Sequence, residues 1–285
     1  MITTNASALT HRILLVLFLG LFCTLNLCAQ SADLAGIAHV AFGVNDLQKS
    51  RAFYRTLGFE EAFEFTDAGK TSVVFMKVSD RQFIELYARG GDSEPSGLLH
   101  ICFEANDLES VRNAYLRQGL QPTEIKKGRA GNLLFVLHDP EGQMIEYTQY
   151  MPGSLHSLDH GKHLGERRIS ERLLRVTATA RDVQSEHAFF VEKLAFKAAA
   201  SDETELYVAG NSGDKVELRR ETPAAKPRIV FAVANERQTE RELGSRGFTV
   251  QKNDRGVSIV DPDGAVIEFD SPPPGSETRN IHEPG

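Results

Sequence analysis

The chain has 285 residues, 25% of them charged and 41% hydrophobic, with 23 Gly and 11 Pro, a composition that excludes a disordered or collagen-like chain. At roughly 100 to 200 residues per domain, its length predicts two domains. A formal charge of -7, with 32 basic residues that form no long cluster, excludes the electrostatic footprint of a nucleic-acid or anionic-membrane binder.

The first element is a leader. Arg12 precedes the apolar run 13–23, and a polar, small-residue stretch follows over 28–32. This pattern predicts a signal peptide over 1–31, cleaved near residues 29–32. The apolar run falls short of the roughly 18 residues of a spanning helix, so the mature protein is expected in the periplasm or outside the cell, without stable membrane insertion. A retained anchor and a lipoprotein through Cys28 are the alternatives, and bulky Leu27 argues against the second. Cys23 and Cys28 leave with the leader. Cys102 alone remains, which excludes an intramolecular disulfide, and it reads as a small core residue.

A repeat follows. Strand-like 37–44 (IAHVAFGV) leads into Asn45-Asp46, which can cap the helical pattern LQKSRAFYRTLGF, and three further strands are predicted in EEAFEF, TSVVFMKV and RQFIELYA. The same βαβββ order recurs from LLHICFEA through Asn106-Asp107 and LESVRNAYLRQG to PTEIKKG, NLLFVLHD and MIEYTQY. Residues 153–170 read as a linker or wrapping segment, where His156, His160 and His163 are expected to be exposed, contact with a metal being the alternative. A third unit runs from RLLRVTATARD through the helix VQSEHAFFVEKLAF to ETELYVAG and GDKVELRR. A fourth runs from PRIVFAVAN through ERQTERELGSRG to TVQKND, GVSIVDPDG and AVIEFD. Asp139-Pro140-Glu141-Gly142 and Asp261-Pro262-Asp263-Gly264 are matching turns in the second and fourth units. The expected organisation is α+β, with four βαβββ modules paired into an N-terminal domain over 33–152 and a C-terminal domain over 171–273, followed by a tail over 274–285.

His39 and Glu85 stand 46 residues apart in the first unit, and His100 and Glu146 stand 46 apart in the second. Each is flanked by apolar residues, and because side chains alternate along a strand, the four polar groups should face away from the helices into a cavity. A carboxylate in a half-buried sheet is costly unless solvated, paired or bound to metal. Two His with two Glu suit a divalent transition ion, and a pseudo-twofold axis would bring all four to one point. Phe83, Tyr87 and Met144 share those faces and could form an apolar wall.

The segments IAHVAF, FYRTLGF, FIELY, LHICFEAND and DPEGQMIEY resemble the vicinal oxygen chelate superfamily, which includes glyoxalase I, fosfomycin resistance proteins, methylmalonyl-CoA epimerase, extradiol dioxygenases and bleomycin-binding proteins. The resemblance covers nearly all of the mature chain and implies metal ligands at His39, Glu85, His100 and Glu146. It implies a divalent ion, Zn, Ni, Mn or Fe(II), and a small-molecule substrate. The second half departs from the pattern: aligning Asp46 with Asp182 puts Arg175 in place of the first histidine, and aligning Asn106 with Asn235 puts Ile229, or a residue beside it, in place of the second, with Glu217 and Glu268 retained, so this domain is expected to be metal-free. Pairing unit one with unit two gathers both His and both Glu, either within one chain or swapped across a homodimer.

Three functions follow as expectations. The first is an exported lyase or isomerase of the glyoxalase I kind, in which the ion acts as a Lewis acid on vicinal oxygens while Glu85 or Glu146 moves a proton; glutathione conjugates fit poorly with a location outside the cytoplasm. The second is an extradiol-type dioxygenase with His39, His100 and Glu146 as an Fe(II) triad. The third is a non-catalytic binding protein of the bleomycin-resistance kind.

Overall fold

A computed structural model describes residues 33–271 apart from 92–93, 201, 211, 224 and 254–255. The expected leader over 1–31 and tail over 274–285 lie outside the described residues.

The first unit forms β1 (Leu34–Val44), α1 (Leu47–Thr56), β2 (Glu60–Asp67), β3 (Lys70–Lys77) and β4 (Phe83–Ala88). The second forms β5 (Gly97–Ala105), α2 (Leu108–Arg117), β6 (Lys126–Lys127), β7 (Leu133–His138) and β8 (Met144–Gln149). A short helix, α3 (Leu155–Leu158), lies in the connecting segment. The third unit comprises β9 (Leu173–Ala180), α4 (Val183–Ala188), β10 (Lys197–Ala199), β11 (Asp202–Tyr207) and β12 (Lys215–Arg220). The fourth comprises β13 (Arg228–Ala232), α5 (Glu236–Ser245), β14 (Gln251–Asn253), β15 (Gly256–Val260) and β16 (Val266–Asp270).

Each unit's helix begins at a residue whose side chain accepts a backbone N–H of the first turn: Asp46, Asp107, Asp182 and Asn235. The predicted helix over 183–196 divides, α4 giving way to a π-helical turn at Phe189–Lys193. Leu194 N–H bonds Phe189 O at 3.2 Å across that wider turn, and Ala195 (φ 62°) then turns the chain into β10, a strand absent from the sequence reading. PTEIKKG forms only the two-residue β6.

Two eight-stranded sheets result, ordered β2-β3-β4-β1-β5-β8-β7-β6 and β10-β11-β12-β9-β13-β16-β15-β14. Units one and two therefore pair within one chain through the antiparallel β1–β5 seam, and units three and four pair through β9–β13. These are four βαβββ modules in two α+β domains. On the helix-facing side of the first sheet, Val40, Phe42, Ile84, Leu86, Ile101, Phe103, Ile145 and Tyr147 are buried with Tyr54 and Tyr115. Burying each large apolar side chain contributes about 1.5–3 kcal/mol, which holds the helices on one face and leaves the other for polar groups.

The repeated Pro-Gly turns also join the domains. Asp139 accepts the N–H groups of Glu141 and Gln143, and Asp261 accepts those of Asp263 and Ala265, so the two turns share one conformation. Each turn's third residue then reaches a helix start in the other domain: Glu141 accepts Asp182 N–H at 2.8 Å, and Asp263 accepts Asn45 N–H at 2.8 Å and Ser50 Oγ at 3.0 Å. Where the first unit has Ser50, four residues past its cap, the third has Glu186, buried close to Asp139 and Glu141. Burial, and then the charges of Asp139 and Glu141, push its carboxyl up to about 7. Because this lies above the value of an unfolded Glu, the folded state gains most near pH 4.5 and below, and loses that gain as pH rises through about 7. Glu186→Gln is expected to match the parent chain in urea unfolding at pH 5 and to be more stable by about 1–2 kcal/mol at pH 8. Equal pH dependence in both proteins would show that this carboxyl does not resist ionisation.

Candidate metal centre

Strand register decides which side chains meet. His39 stands opposite Cys102, and Ala41 opposite His100, across the β1–β5 seam. Ala41 also stands opposite Glu85 on β4, and Cys102 opposite Glu146 on β8. The pseudo-twofold therefore exchanges His39 with His100, Glu85 with Glu146 and Ala41 with Cys102, and puts all of them on the face away from the helices.

The four sequence-predicted residues come together. His39 Nε2 lies 3.1 Å from His100 Nε2, His39 Nδ1 lies 3.4 Å from Glu85 Oε1, and His39 Nε2 lies 3.6 Å from Glu146 Oε1. Ligand atoms of His39, Glu85 and His100, and separately of His39, Cys102 and Glu146, fall within 4.8 Å of one another. Burial keeps His39 well below the usual imidazole range and lowers His100 to about 4, so both rings are neutral and offer lone pairs. Burial, and then the charge of Glu146, pushes Glu85 up to about 8 against the opposing hydrogen bond from Tyr87. Burial likewise raises Glu146 to about 7.

These observations fit a divalent ion. Two ring nitrogens 3.1 Å apart have the spacing of adjacent ligands when each lies roughly 2.0–2.1 Å from one cation. His39 Nδ1 and His100 Nδ1 are buried without a hydrogen-bond partner among the described residues. Burial makes both carboxyls costly to ionise, a cost that a bound cation would offset.

Cys102 is buried, as its reading as a small core residue expects, and it shares the strand face of His100, with Sγ 3.5 Å from Glu146 Oε1.

A cavity of about 100 Å³ adjoins the cluster, lined by His39, Glu85 and Glu146 together with Phe65, Phe75, Tyr87 and Tyr150. Of the expected apolar wall, Tyr87 lines it and donates its hydroxyl to Glu85 Oε2 at 2.8 Å. Phe83 instead packs with Val73 and Phe75, and Met144 is not among the lining residues. The connecting segment holds the larger surprise. His160 and His163 are exposed, as expected of it, but His156 is only 4% exposed and lines the cavity.

In the second sheet Arg175 takes the place of His39, but Ile229 does not take that of His100. The register sets Arg228 opposite Thr177 and Val230 opposite Arg175, so Arg228 is the equivalent of His100, and Ile229 belongs to the buried core. The misalignment matched Asn with Asn, whereas the capping residue of the second unit is Asp107. Measured from the caps, all four site positions lie seven residues upstream. Both histidines are thus arginines here. Arg175 bonds Glu205 at 2.7 Å and Asp270 at 3.0 Å, and lies 3.8 Å from Glu217 and 3.9 Å from Glu268. Arg228 pairs with Glu268, and Arg219 with Glu217 at 2.9 Å. Guanidinium groups stand here where the first sheet has imidazoles.

Residues 36–147 match the family profile described as "Glyoxalase/Bleomycin resistance protein/Dioxygenase superfamily". The chain is 30% identical over 133 residues to mitochondrial methylmalonyl-CoA epimerase of Homo sapiens, a match covering 41% of this chain and 75% of that protein. The Bos taurus protein of the same name is 30% identical over 135 residues, with the same coverage. In fold, the chain is similar to the Mn(II)-bound glyoxalase from Novosphingobium aromaticivorans (TM-score 0.62, 15% identity, 83% of this chain and 82% of that one). It is also similar to the 2,3-dioxygenase LapB from Pseudomonas sp. KL28 (TM-score 0.63, 16% identity, 84% and 92%). With the repeat, the paired sheets and these likenesses in agreement, the chain belongs to the glyoxalase/bleomycin resistance protein/dioxygenase superfamily.

Proposed function

We propose that this chain is an exported, metal-dependent lyase or isomerase of the glyoxalase I kind, which moves a proton at a carbon beside vicinal oxygens of a small substrate. The observation that carries this reading is the pair Glu85, buried, and Glu146, partly buried, related by the pseudo-twofold and each raised toward neutrality, with the His39–His100 pair beside them. His39, Glu85, His100 and Glu146 would hold the ion, which when bound supplies Lewis acidity toward the substrate's oxygens.

The chain's own groups would do the rest. A general base works best when its pKa lies near the working pH, and burial moves both carboxyls toward it from the usual carboxylate range before any ion is bound. Tyr87 holds Glu85 from one side, while Glu146 has the Cys102 thiol and His39 Nε2 beside it. Two bases on opposite sides of one carbon could remove a proton from one face and return it to either. Phe65, Phe75 and Tyr150 would exclude water from the reacting carbon. The likeness to methylmalonyl-CoA epimerase, whose name denotes an epimerisation, supports the proton-transfer reading over oxygen chemistry.

The test is proton exchange in D2O, followed by 1H NMR, on the metal-loaded mature protein with hemithioacetals of 2-oxoaldehydes and with small 2-substituted thioesters. Loss of the substrate's α-proton signal is expected, with Glu85→Gln and Glu146→Gln each slowing it by about 100-fold or more while the fold persists. No exchange in any of these substrates, together with O2 uptake on catechols that survives Glu85→Gln, would make the chain a dioxygenase using His39, His100 and Glu146. A wild-type protein that binds no divalent ion would leave the binding-protein reading. Export is tested by N-terminal sequencing of protein from the native host, where a start near residues 29–32 is expected and an intact Met1 would refute it.

A further inference from the structure

We infer that His156 belongs to the substrate site, where its Nε2–H donates a hydrogen bond to a carbonyl or carboxylate oxygen of the molecule held in the cavity beside His39, Glu85 and Glu146. This rests on the proposed function for the identity of that cavity as the substrate site, and it adds a residue from outside both sheets.

The segment carrying His156 is fixed in place. Ser154 caps α3 by accepting Ser157 N–H, and Leu155 N–H donates to Ala130 O at 2.8 Å. The wholly buried Lys77 ammonium donates to Asp159 Oδ2 at 2.8 Å and to its carbonyl oxygen at 2.6 Å. The Asp159 Oδ1 atom meets His163 Nδ1 at 2.5 Å. The His156 ring stacks on Tyr150 at 4.8 Å and meets Phe83 perpendicularly at 4.7 Å.

The proton on this ring can be assigned. Met151 N–H donates to Asn132 Oδ1 at 3.3 Å, which makes Oδ1 the acceptor and turns the amide nitrogen toward His156. Asn132 Nδ2 then donates to His156 Nδ1 at 2.8 Å. Since Nδ1 accepts, the ring proton is on Nε2. That atom is buried and has no hydrogen-bond partner among the described residues. A buried donor without an acceptor costs about 1–3 kcal/mol, and on a ring held this firmly an acceptor arriving from outside the chain would remove that cost. His156 lines the cavity that adjoins the two carboxyls, and a substrate oxygen there would supply the acceptor. Burial, which lowers this imidazole to about 4, keeps it a neutral donor at working pH.

The experiment uses the full mature chain, with acetohydroxamate, a small chelator with two adjacent oxygens, as the probe. In 15N-histidine NMR spectra His156 should show the Nε2–H tautomer, and acetohydroxamate should shift its Nε2 resonance. With Co(II) loaded, His156→Leu should weaken acetohydroxamate binding, read from the Co(II) visible spectrum, by about 10-fold. His156→Gln, which retains an N–H donor, should recover part of that loss, and both variants should bind Co(II) as tightly as the parent. An Nδ1–H tautomer, unchanged acetohydroxamate affinity in His156→Leu, or weakened Co(II) binding in that variant would each overturn the assignment. If the parent protein binds no ion, the proton-transfer reading fails separately. The NMR shift is then read on the ion-free protein, where a shifted Nε2 resonance still supports His156 as a ligand contact and an unshifted one overturns it.

Discussion

Arg175→Met is expected to destabilise the folded chain by about 3–5 kcal/mol at pH 8, the usual cost of removing one partner from a buried ionic network. Arg175 is the guanidinium shared by Glu205 and Asp270, with Glu217 and Glu268 within 4 Å. Methionine fills much of the volume but leaves those carboxylates with one cation fewer. The pH dependence carries a definite sign. Asp270 is already raised to about 6, by burial first and then by the charges of Glu268 and Glu236, against the opposing pull of Arg175, and losing Arg175 can only raise it further. A carboxyl raised in the folded state costs stability as pH climbs through its folded value, so the deficit should be largest above pH 6 and shrink below pH 5. Urea unfolding at pH 5 and pH 8 measures both. Against a typical total of about 5–15 kcal/mol, the predicted loss is large. A deficit below about 1 kcal/mol at pH 8 would mean that Lys215, Arg219 and Arg228 already neutralise the cluster.

The second large effect belongs to the first sheet. His100→Ala is expected to lower affinity for Zn(II) or Co(II) by at least about 100-fold, since removing even the groups that orient a ligand costs 10- to 100-fold. Isothermal titration measures it, with circular dichroism to show that the sheet persists. Because Glu85 and Glu146 are raised to about 8 and about 7, ion binding must release their protons. The parent's affinity should therefore climb between pH 6 and pH 8, more steeply than free imidazole ligands would require. A His100→Ala protein that binds the ion as well as the parent would remove His100 from the ligand set.

The four-unit repeat was legible because both of its signals are local. A capping Asp or Asn opens a 3.6-residue pattern, and alternating strands with Pro-Gly turns follow it. The His39–Glu85 and His100–Glu146 pairs were legible because strand alternation assigns a face and duplication assigns an equivalent position. Where the alignment followed residue type instead of capping role, it slipped by one, and Ile229 stood in for Arg228. A one-residue slip moves every side chain to the opposite face, so this error separated a core residue from a member of the charged cluster.

His156 was not legible, and neither was the interlocking of the two Pro-Gly turns with the opposite domain's helices. No periodicity marks a buried histidine in a polar connecting segment. Its burial depends on Lys77, 79 residues earlier, drawing Asp159 inward, and on Asn132 and Tyr150 being in place to receive the ring. The sequence by itself determined the four units, their helix starts, the polar face of the first sheet and the asymmetry between its histidines and the second sheet's arginine at 175. The tertiary structure alone decided that units one and two pair within one chain, that Arg228 answers to His100, and that His156 lines the cavity. The first set follows from short-range backbone geometry, which a chain writes in its residue spacing; the second depends on which distant surfaces bury each other, and hydrophobic burial leaves no local mark of its partner.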